Sequence, residues 1–191
     1  MIRHWVALVL SLTAVAGSAQ TLRQASPWAS GVGLADRIPD RPADWPLLTA
    51  HLSHVTPENC MKPAALRSTE QAWNFGQADK FVAFANSKDL KVVGHCLVWA
   101  KDDRTPAWFY QDGAAPATKE VLLARMKSYI ETVVGRYKGK IAAWDVVNEA
   151  LEEDGTWRRT PWIIGGMAVL ALDHPAMDAI GWRVSPDGSV A

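Results

Sequence analysis

The chain lacks an excess of charge of either sign. Its 191 residues include 20 lysines and arginines and 20 aspartates and glutamates, so the formal net charge at pH 7 is zero. It also lacks any basic run or basic amphipathic stretch that could contact phosphate groups. The charge pattern therefore argues against nucleic acid, and against an anionic membrane surface, as partners.

Long apolar runs are scarce as well. Beyond the N-terminal segment, nothing approaches the roughly 20 apolar residues that a membrane-spanning helix needs. Residues 1–19 differ, because Arg3 leads into the apolar run 5–16 and a stretch of small residues ends at Ala19. This pattern is typical of a secretory signal peptide. We predict cleavage after Ala19, with Ala16 as the second choice, and a secreted or periplasmic mature protein.

Cysteine is rare, with only Cys60 and Cys96 in the chain. Export would permit a disulfide between them. Both, however, lie in segments that we predict to be buried strand ends, where a free cysteine acts as a small hydrophobic residue. We therefore predict that they are unpaired. Two cysteines without suitably spaced histidines do not predict a zinc site.

What is present is an alternation of short apolar strands and amphipathic helices. We predict strands at residues 31–34, 54–56, 91–99 and from 141 onward, and helices at 43–52, 77–87 and after the N-cap Thr118. Such alternation indicates parallel βαβ units. Four units make half of a (β/α)8 TIM barrel. We predict an α/β fold with this partial barrel over residues 20–165 and an atypical C-terminal tail over residues 166–191.

The segment Trp144–Ala150 is the most informative stretch, because an apolar strand ends there in an amide and a carboxylate. The apolar run begins at Ile141, which predicts a strand covered on both faces. Polar side chains that end such a strand face the mouth of a barrel, where active sites lie. Glu149 is thus a candidate catalytic carboxyl. The alternative is that Glu149 only opens the next helix, where a negative charge is favourable.

Polar side chains follow three successive strands, and parallel neighbours would bring them to one rim. Each has an ordinary structural interpretation: Glu58 could cap a helix, His95 could be a bonded core histidine, and Lys62 could be a solvated charge. Their common position at strand ends favours a functional site instead. The candidate site residues are Glu58, Asn59, Lys62, His95, Trp99, Asn148 and Glu149.

Five ordered motifs between residues 30 and 160 resemble those of glycoside hydrolase family 10 endo-1,4-β-xylanases. They are VTPENCMK at 55–62, GHCLVW at 94–99, TPAWF at 105–109, RYKGK at 136–140 and WDVVNEA at 144–150. The resemblance implies a secreted (β/α)8 barrel enzyme that cleaves xylan or xylo-oligosaccharides with retention of configuration. It implies no metal and no organic cofactor, because a pair of carboxyl groups suffices for this chemistry.

The resemblance also implies a role for each site residue. Glu149 would be the general acid/base, and Asn148 would bond the 2-hydroxyl of the sugar that is cleaved. His95 and Trp99 would line the same subsite. The neighbouring sugar on the non-reducing side would be held by Glu58, Asn59 and Lys62. We further expect Trp144 and an apolar wall to surround Glu149, because desolvation helps an acid to keep its proton.

The chain departs from the family pattern after Glu149. Retaining glycosidases need a second carboxylate as nucleophile, about 5–5.5 Å from the acid/base. In this family it ends a late barrel strand, and the later carboxylates of this chain do not end apolar strands. An Asn-Asp-Tyr-Asn run of the family is absent, and the resemblance fades after about Trp162. We interpret this as an interrupted gene, a foreign tail or part of a longer sequence.

Three hypotheses follow. The first is a xylan-cleaving enzyme of which this chain holds the acid/base half, the second a catalytically silent sugar-binding protein, and the third a nonfunctional fragment. An isolated half-barrel would also expose the edge of its fourth strand and apolar side chains. We therefore expect self-association through exposed barrel edges.

Overall fold

The computed structural model describes residues 20–26, 28–101 and 104–162. The predicted signal peptide and the predicted C-terminal tail lie outside these residues. In the part of the chain that is described, no helix combines the length and the apolar character needed to cross a bilayer.

The described chain alternates strands with helices, as the sequence predicts. The helices are α1 (Leu22–Ala25), α2 (Trp45–His51), α3 (Pro63–Leu66), α4 (Gly76–Ser87) and α5 (Lys119–Arg136). The strands are β1 (Gly31–Leu34), β2 (His54–Pro57), β3 (Lys91–Trp99), β4 (Gln111–Asp112), β5 (Ala115–Pro116) and β6 (Ala143–Asn148). Short 3-10 helices cover Ile38–Asp40, Pro42–Asp44 and Ala107–Phe109.

The main sheet has four strands in the order β1-β2-β3-β6, and every neighbouring pair is parallel. Helices connect these strands, which is the βα pattern of a barrel wall. The sheet is therefore the partial (β/α)8 barrel that the alternation predicts. Strands β4 and β5 form a separate antiparallel pair in the long connection between β3 and α5.

The core lies between the inner strands and the helices. Val55 of β2, Val92 of β3 and Phe81 of α4 are fully buried, and so is Tyr129 of α5. Along α5 the buried side chains recur at helical spacing, which confirms the apolar stripe read from the sequence. Thr118 caps the helix, since its hydroxyl accepts a hydrogen bond from the backbone N–H of Val121 at 3.4 Å.

Both cysteines are buried and unpaired, as predicted. Cys96 lies within β3, whereas Cys60 follows β2 in a turn instead of ending the strand. Burial raises the pKa of the Cys96 thiol to about 12, and it also raises the pKa of Cys60. Both side chains are therefore neutral packing groups at physiological pH.

The prediction that the Trp144 strand is covered on both faces is wrong. Most of β6 is exposed, including Val146 at 55% and Val147 at 45% of their full surface. Within the described residues β6 pairs only with β3, so its other edge is open. A strand that is apolar on both faces becomes buried only when further strands and helices pack beside it.

Candidate active site

Three neighbouring strands end at the same edge of the sheet. β2 ends at Pro57, directly before Glu58, while Trp99 of β3 lies opposite Asn148 of β6 in the strand register. The register between β3 and β6 shifts between His95 and Val98, a bulge that changes how the end of β3 is aimed. The parallel order thus brings the predicted site residues to one rim.

Glu149 and Trp99 are in direct contact there. The indole Nε1 of Trp99 donates a hydrogen bond to Oε2 of Glu149 at 3.0 Å. Trp99 is 8% exposed, but the Glu149 side chain is 40% exposed. The expectation that Trp144 and an apolar wall surround Glu149 is therefore wrong. Trp144 instead packs beside Tyr137, with its ring 6.4 Å from that ring, and against Gly94.

The backbone of Glu149 is left-handed, with φ +52°. A residue with a Cβ atom pays about 1–2 kcal/mol for this conformation. It is the first residue after β6, so the left-handed turn ends the strand and redirects the carboxylate. Costly backbone conformations of this kind cluster at functional sites, where surrounding contacts hold them.

Lys62 joins the strand ends to one another. It is 8% exposed, its Nζ donates a hydrogen bond to Oδ1 of Asn59 at 2.8 Å, and the same Nζ lies 4.3 Å from the ring centroid of Trp99. Burial, and then the positive charge of Arg104, lower the pKa of Lys62. Asn59, Lys62, Trp99 and Glu149 thus form one continuous row of contacts.

His95 stands beside this row. Its ring centroid lies 5.4 Å from that of Trp99, and its Nδ1 is 2.9 Å from Oδ2 of Asp145. An ionised carboxylate can only accept, so Nδ1 donates and the opposite nitrogen, Nε2, is left for another partner. The hydrogen bond to Asp145 agrees with the ordinary interpretation of His95 as a bonded histidine. Its position beside Trp99 agrees with the interpretation of His95 as a site residue.

The remaining two candidates are placed at the rim with fewer side-chain contacts. Asn148 is half-buried, and its backbone carbonyl accepts from the N–H of Ala100 at 2.9 Å. Glu58 is exposed, and within the described residues its side chain forms no hydrogen bond or ion pair. Both are therefore available to an incoming ligand.

Three supporting residues were not identified from the sequence. Asp145 binds His95, Arg158 places Nη2 3.8 Å from Oε2 of Glu149, and Oδ1 of Asp36 accepts from the backbone N–H groups of Asn59 and Cys60 at 3.1 and 3.0 Å. Asp145 lies inside the WDVVNEA motif, so the motif could have identified it as a candidate site residue. Nothing in the local sequence around Asp36 or Arg158 indicates a role at the rim.

The arrangement suits proton transfer to a polar ligand bound at the surface. It offers a half-exposed carboxyl group, a buried ammonium group and an indole within one row of contacts, with an imidazole beside that row. Across the described residues, no group of three or more His, Cys, Asp or Glu side chains could hold a metal ion.

Comparison with known proteins matches residues 23–167, more than half of the chain, to the model of glycosyl hydrolase family 10. The endo-1,4-beta-xylanase A of Caldicellulosiruptor sp. (strain Rt8B.4) is 42% identical over 142 residues. The beta-1,4-xylanase of Dictyoglomus thermophilum is 46% identical over 118 residues. Among solved structures, a variant of an intracellular xylanase from Thermoanaerobacterium saccharolyticum, in complex with xylotetraose, superposes with a TM-score of 0.63 at 36% identity.

The chain corresponds to only part of each of these proteins. The matches to the two curated relatives cover 69% and 61% of this chain but 20% and 32% of the relatives. The match to the solved xylanase covers 71% of this chain and 44% of that one.

Proposed function

The chain belongs to glycosyl hydrolase family 10, and we propose that it carries the acid/base half of an endo-1,4-β-xylanase active site. The observation that supports this most directly is the contact between the Glu149 carboxylate and the indole of Trp99 at the rim formed by β2, β3 and β6. Names of relatives that act on β-1,4-xylan support the same reaction class.

In this proposal Glu149 acts twice. Its carboxyl group first donates a proton to the glycosidic oxygen as the bond from that oxygen to the sugar C1 breaks. After a second carboxylate has bonded to C1, the resulting Glu149 carboxylate takes a proton from water as the water oxygen attacks C1 and the bond from C1 to the second carboxylate breaks. Because 40% of the side chain is exposed, both the leaving oxygen and the water can reach it.

The other residues bind sugar hydroxyls. Asn148 bonds the 2-hydroxyl of the sugar that is cleaved, a contact that strengthens in the oxocarbenium-like transition state. His95 offers Nε2 to the same sugar, because Asp145 occupies Nδ1. The neighbouring sugar on the non-reducing side is bound by Glu58, Asn59 and Lys62, of which the last two already contact each other.

Retaining cleavage also requires a nucleophilic carboxylate about 5–5.5 Å from the acid/base. The absence of this residue from the chain remains a prediction. Glu149 in this arrangement performs only the proton transfers, so we expect full activity where a second carboxylate is provided opposite it.

The substrate that fits this proposal is xylan or a xylo-oligosaccharide. The bound xylotetraose in the similar Thermoanaerobacterium saccharolyticum xylanase supports a chain of β-1,4-linked xylose units. The signal-peptide pattern supports export, where such a polymer is encountered. Exposed apolar residues on β6 support self-association.

Substitution of Glu149 tests the proposed reaction. In a context that cleaves xylan, Glu149→Gln should reduce hydrolysis of xylan by about 10²–10⁴-fold, because the amide cannot donate the proton. Release of reducing sugar measures the rate, and circular dichroism checks that the fold is kept. Glu153→Gln, at an exposed glutamate four residues away, is the matched control and should keep its rate. Full activity of Glu149→Gln would exclude the assignment.

A silent sugar-binding protein is the second candidate function, favoured by the contacts among Asn59, Lys62 and Trp99, which need no nucleophile. Titration of the chain with xylotetraose by calorimetry separates the two candidates from a nonfunctional fragment. Binding without hydrolysis, even where a second carboxylate is provided opposite Glu149, would favour the second candidate, and neither binding nor hydrolysis would favour the fragment.

A further inference from the structure

Arg158 lies between two carboxylates at the rim. Its Nη2 is 3.8 Å from Oε2 of Glu149, and its Nη1 is 3.4 Å from Oε2 of Glu152. The Arg158 side chain is 23% exposed, whereas the side chains of Glu149 and Glu152 are 40% and 48% exposed, so solvent screens part of each ion pair. The Nε of Arg158 is buried and has no hydrogen-bond partner among the described residues. The guanidinium orientation is therefore set by the two carboxylates.

A short hairpin carries Arg158 back to the end of β6. Leu151 and Trp157 form an antiparallel bridge, and the left-handed Gly155, with φ +83°, allows the turn between them. The N–H of Arg158 donates to the carbonyl of Ala150 at 2.9 Å. The chain thus returns directly beside the residue that follows Glu149.

The two oxygens of the Glu149 carboxylate differ in their contacts. In the described part of the chain, both Trp99 Nε1 and Arg158 Nη2 approach the same oxygen, Oε2. An oxygen that accepts from an N–H group and faces a guanidinium is held in its unprotonated form. The proton of the acid therefore belongs on Oε1.

We propose that Arg158 is a positioning residue for Glu149, an inference that rests on the proposed acid/base function. The charge of Arg158 and the indole of Trp99 together hold Oε2, which fixes the carboxyl group at its left-handed residue and leaves Oε1 to carry the proton to the glycosidic oxygen. Arg158 touches neither the sugar nor the reacting atoms in this role.

The indole N–H signal of Trp99 reports the hold on Oε2 and does not depend on turnover. In the ¹⁵N-labelled chain, Trp99→Phe assigns this signal among those of the ten tryptophans. Arg158→Met keeps the apolar stem but removes the charge. We expect it to move the Trp99 signal upfield and to speed its hydrogen exchange on the order of tenfold, because the carboxylate is released. Arg158→Lys keeps the charge and should retain most of the signal position.

Two controls make the result specific. Arg159→Ala removes the adjacent exposed arginine and should leave the Trp99 signal unchanged. The indole signals of the other tryptophans show whether the hairpin remains folded. A Trp99 signal that is unchanged in Arg158→Met, or that responds equally in Arg158→Lys and Arg158→Met, would overturn the positioning role, since the charge of residue 158 would then not hold the carboxylate. Failure of the chain to cleave xylan in any context, with the Trp99 response intact, would count against the proposed function and not against the contact.

Discussion

Gly94 shows how closely one residue can depend on a neighbouring strand. It lies on β3 opposite Trp144 of β6 in the parallel register. A Cβ atom at Gly94 would stand 2.2 Å from Cε3 of the Trp144 ring. That distance is far inside van der Waals contact, so either the indole or the strand would have to move.

We predict that Gly94→Ala lowers the free energy of unfolding by about 1–3 kcal/mol, through overpacking. Urea denaturation followed by tryptophan fluorescence measures it. Gly33→Ala on β1 is the matched control, because no atom lies within 4 Å of the position of its Cβ. Equal stability of the two variants would show that Trp144 does not pack against Gly94.

Single residues of the site were predictable where they stand at the end of a predicted strand. Glu149, Asn148 and Trp99 were found from strand ends alone, and they lie at one rim. Arg158 could not be found in this way, because its contact with Glu149 depends on how the hairpin from Leu151 to Trp157 turns back. The surroundings of Glu149 were also predicted wrongly, since which face Trp144 occupies depends on its packing against Gly94.

At the scale of elements, one carboxylate joins α4 to the end of α5. Asp79 of α4 accepts hydrogen bonds from Arg136, through Nε at 2.9 Å and through Nη2, and from the Tyr137 hydroxyl at 3.0 Å. The hydrogen bonds from Arg136 hold the pKa of Asp79 below its ordinary value of 3.8, and the Tyr137 bond acts in the same direction.

This lowered pKa predicts a pH-dependent contribution to stability. Because the folded pKa lies below the unfolded pKa, the stabilisation is fully present above pH 3.8 and is lost as the pH falls through the folded value. We expect Asp79→Asn to be less stable than the wild-type chain at about pH 6–7 and the gap to narrow below about pH 4. Urea unfolding at a series of pH values measures the gap.

Asp44→Asn is the control for this series. Asp44 forms an exposed ion pair with Arg41 at 2.8 Å within one short segment, and such pairs contribute little. We expect only a small change in its free energy of unfolding. A gap between Asp79→Asn and wild type that stays constant from neutral to acidic pH would refute the charge-based explanation.

Most elements were predictable because their signals are local. The spacing of apolar residues predicted α4 and α5, and the N-cap Thr118 predicted the start of α5. Strand β3 begins and ends where the sequence predicts. The extent to which the faces of β6 are buried was not predictable. An apolar strand shows only that both faces can be buried, and its actual burial depends on which elements stand beside it.

At the scale of the whole molecule, the main consequence of the partial barrel is the edge of β6 that is unpaired within the described residues. Val146 and Val147 of β6 are 55% and 45% exposed, and Leu151, three residues beyond the end of the strand, is 48% exposed. An unpaired strand edge with apolar side chains is a template for pairing with another chain. This combination supports self-association of the chain.

We predict that the chain from residue 20 onward sediments as a dimer or larger species in analytical ultracentrifugation. Val147→Lys should shift it toward monomer, because a charge on the open edge opposes pairing. Leu47→Lys, at a 67% exposed position on α2 away from that edge, should not. A wild-type monomer with a sharp, reversible unfolding transition would contradict the prediction.

The sequence by itself determined the parallel βα order and the family, because each depends on periodicity or on contiguous motifs. It also selected the strand ends that meet at the rim, since neighbouring parallel strands end at one edge. Only the tertiary structure decided that Lys62 bridges Asn59 and Trp99, that Asp145 binds His95 and that Arg158 faces Glu149. These contacts join residues on different elements, and distance between elements is fixed by packing rather than by local sequence.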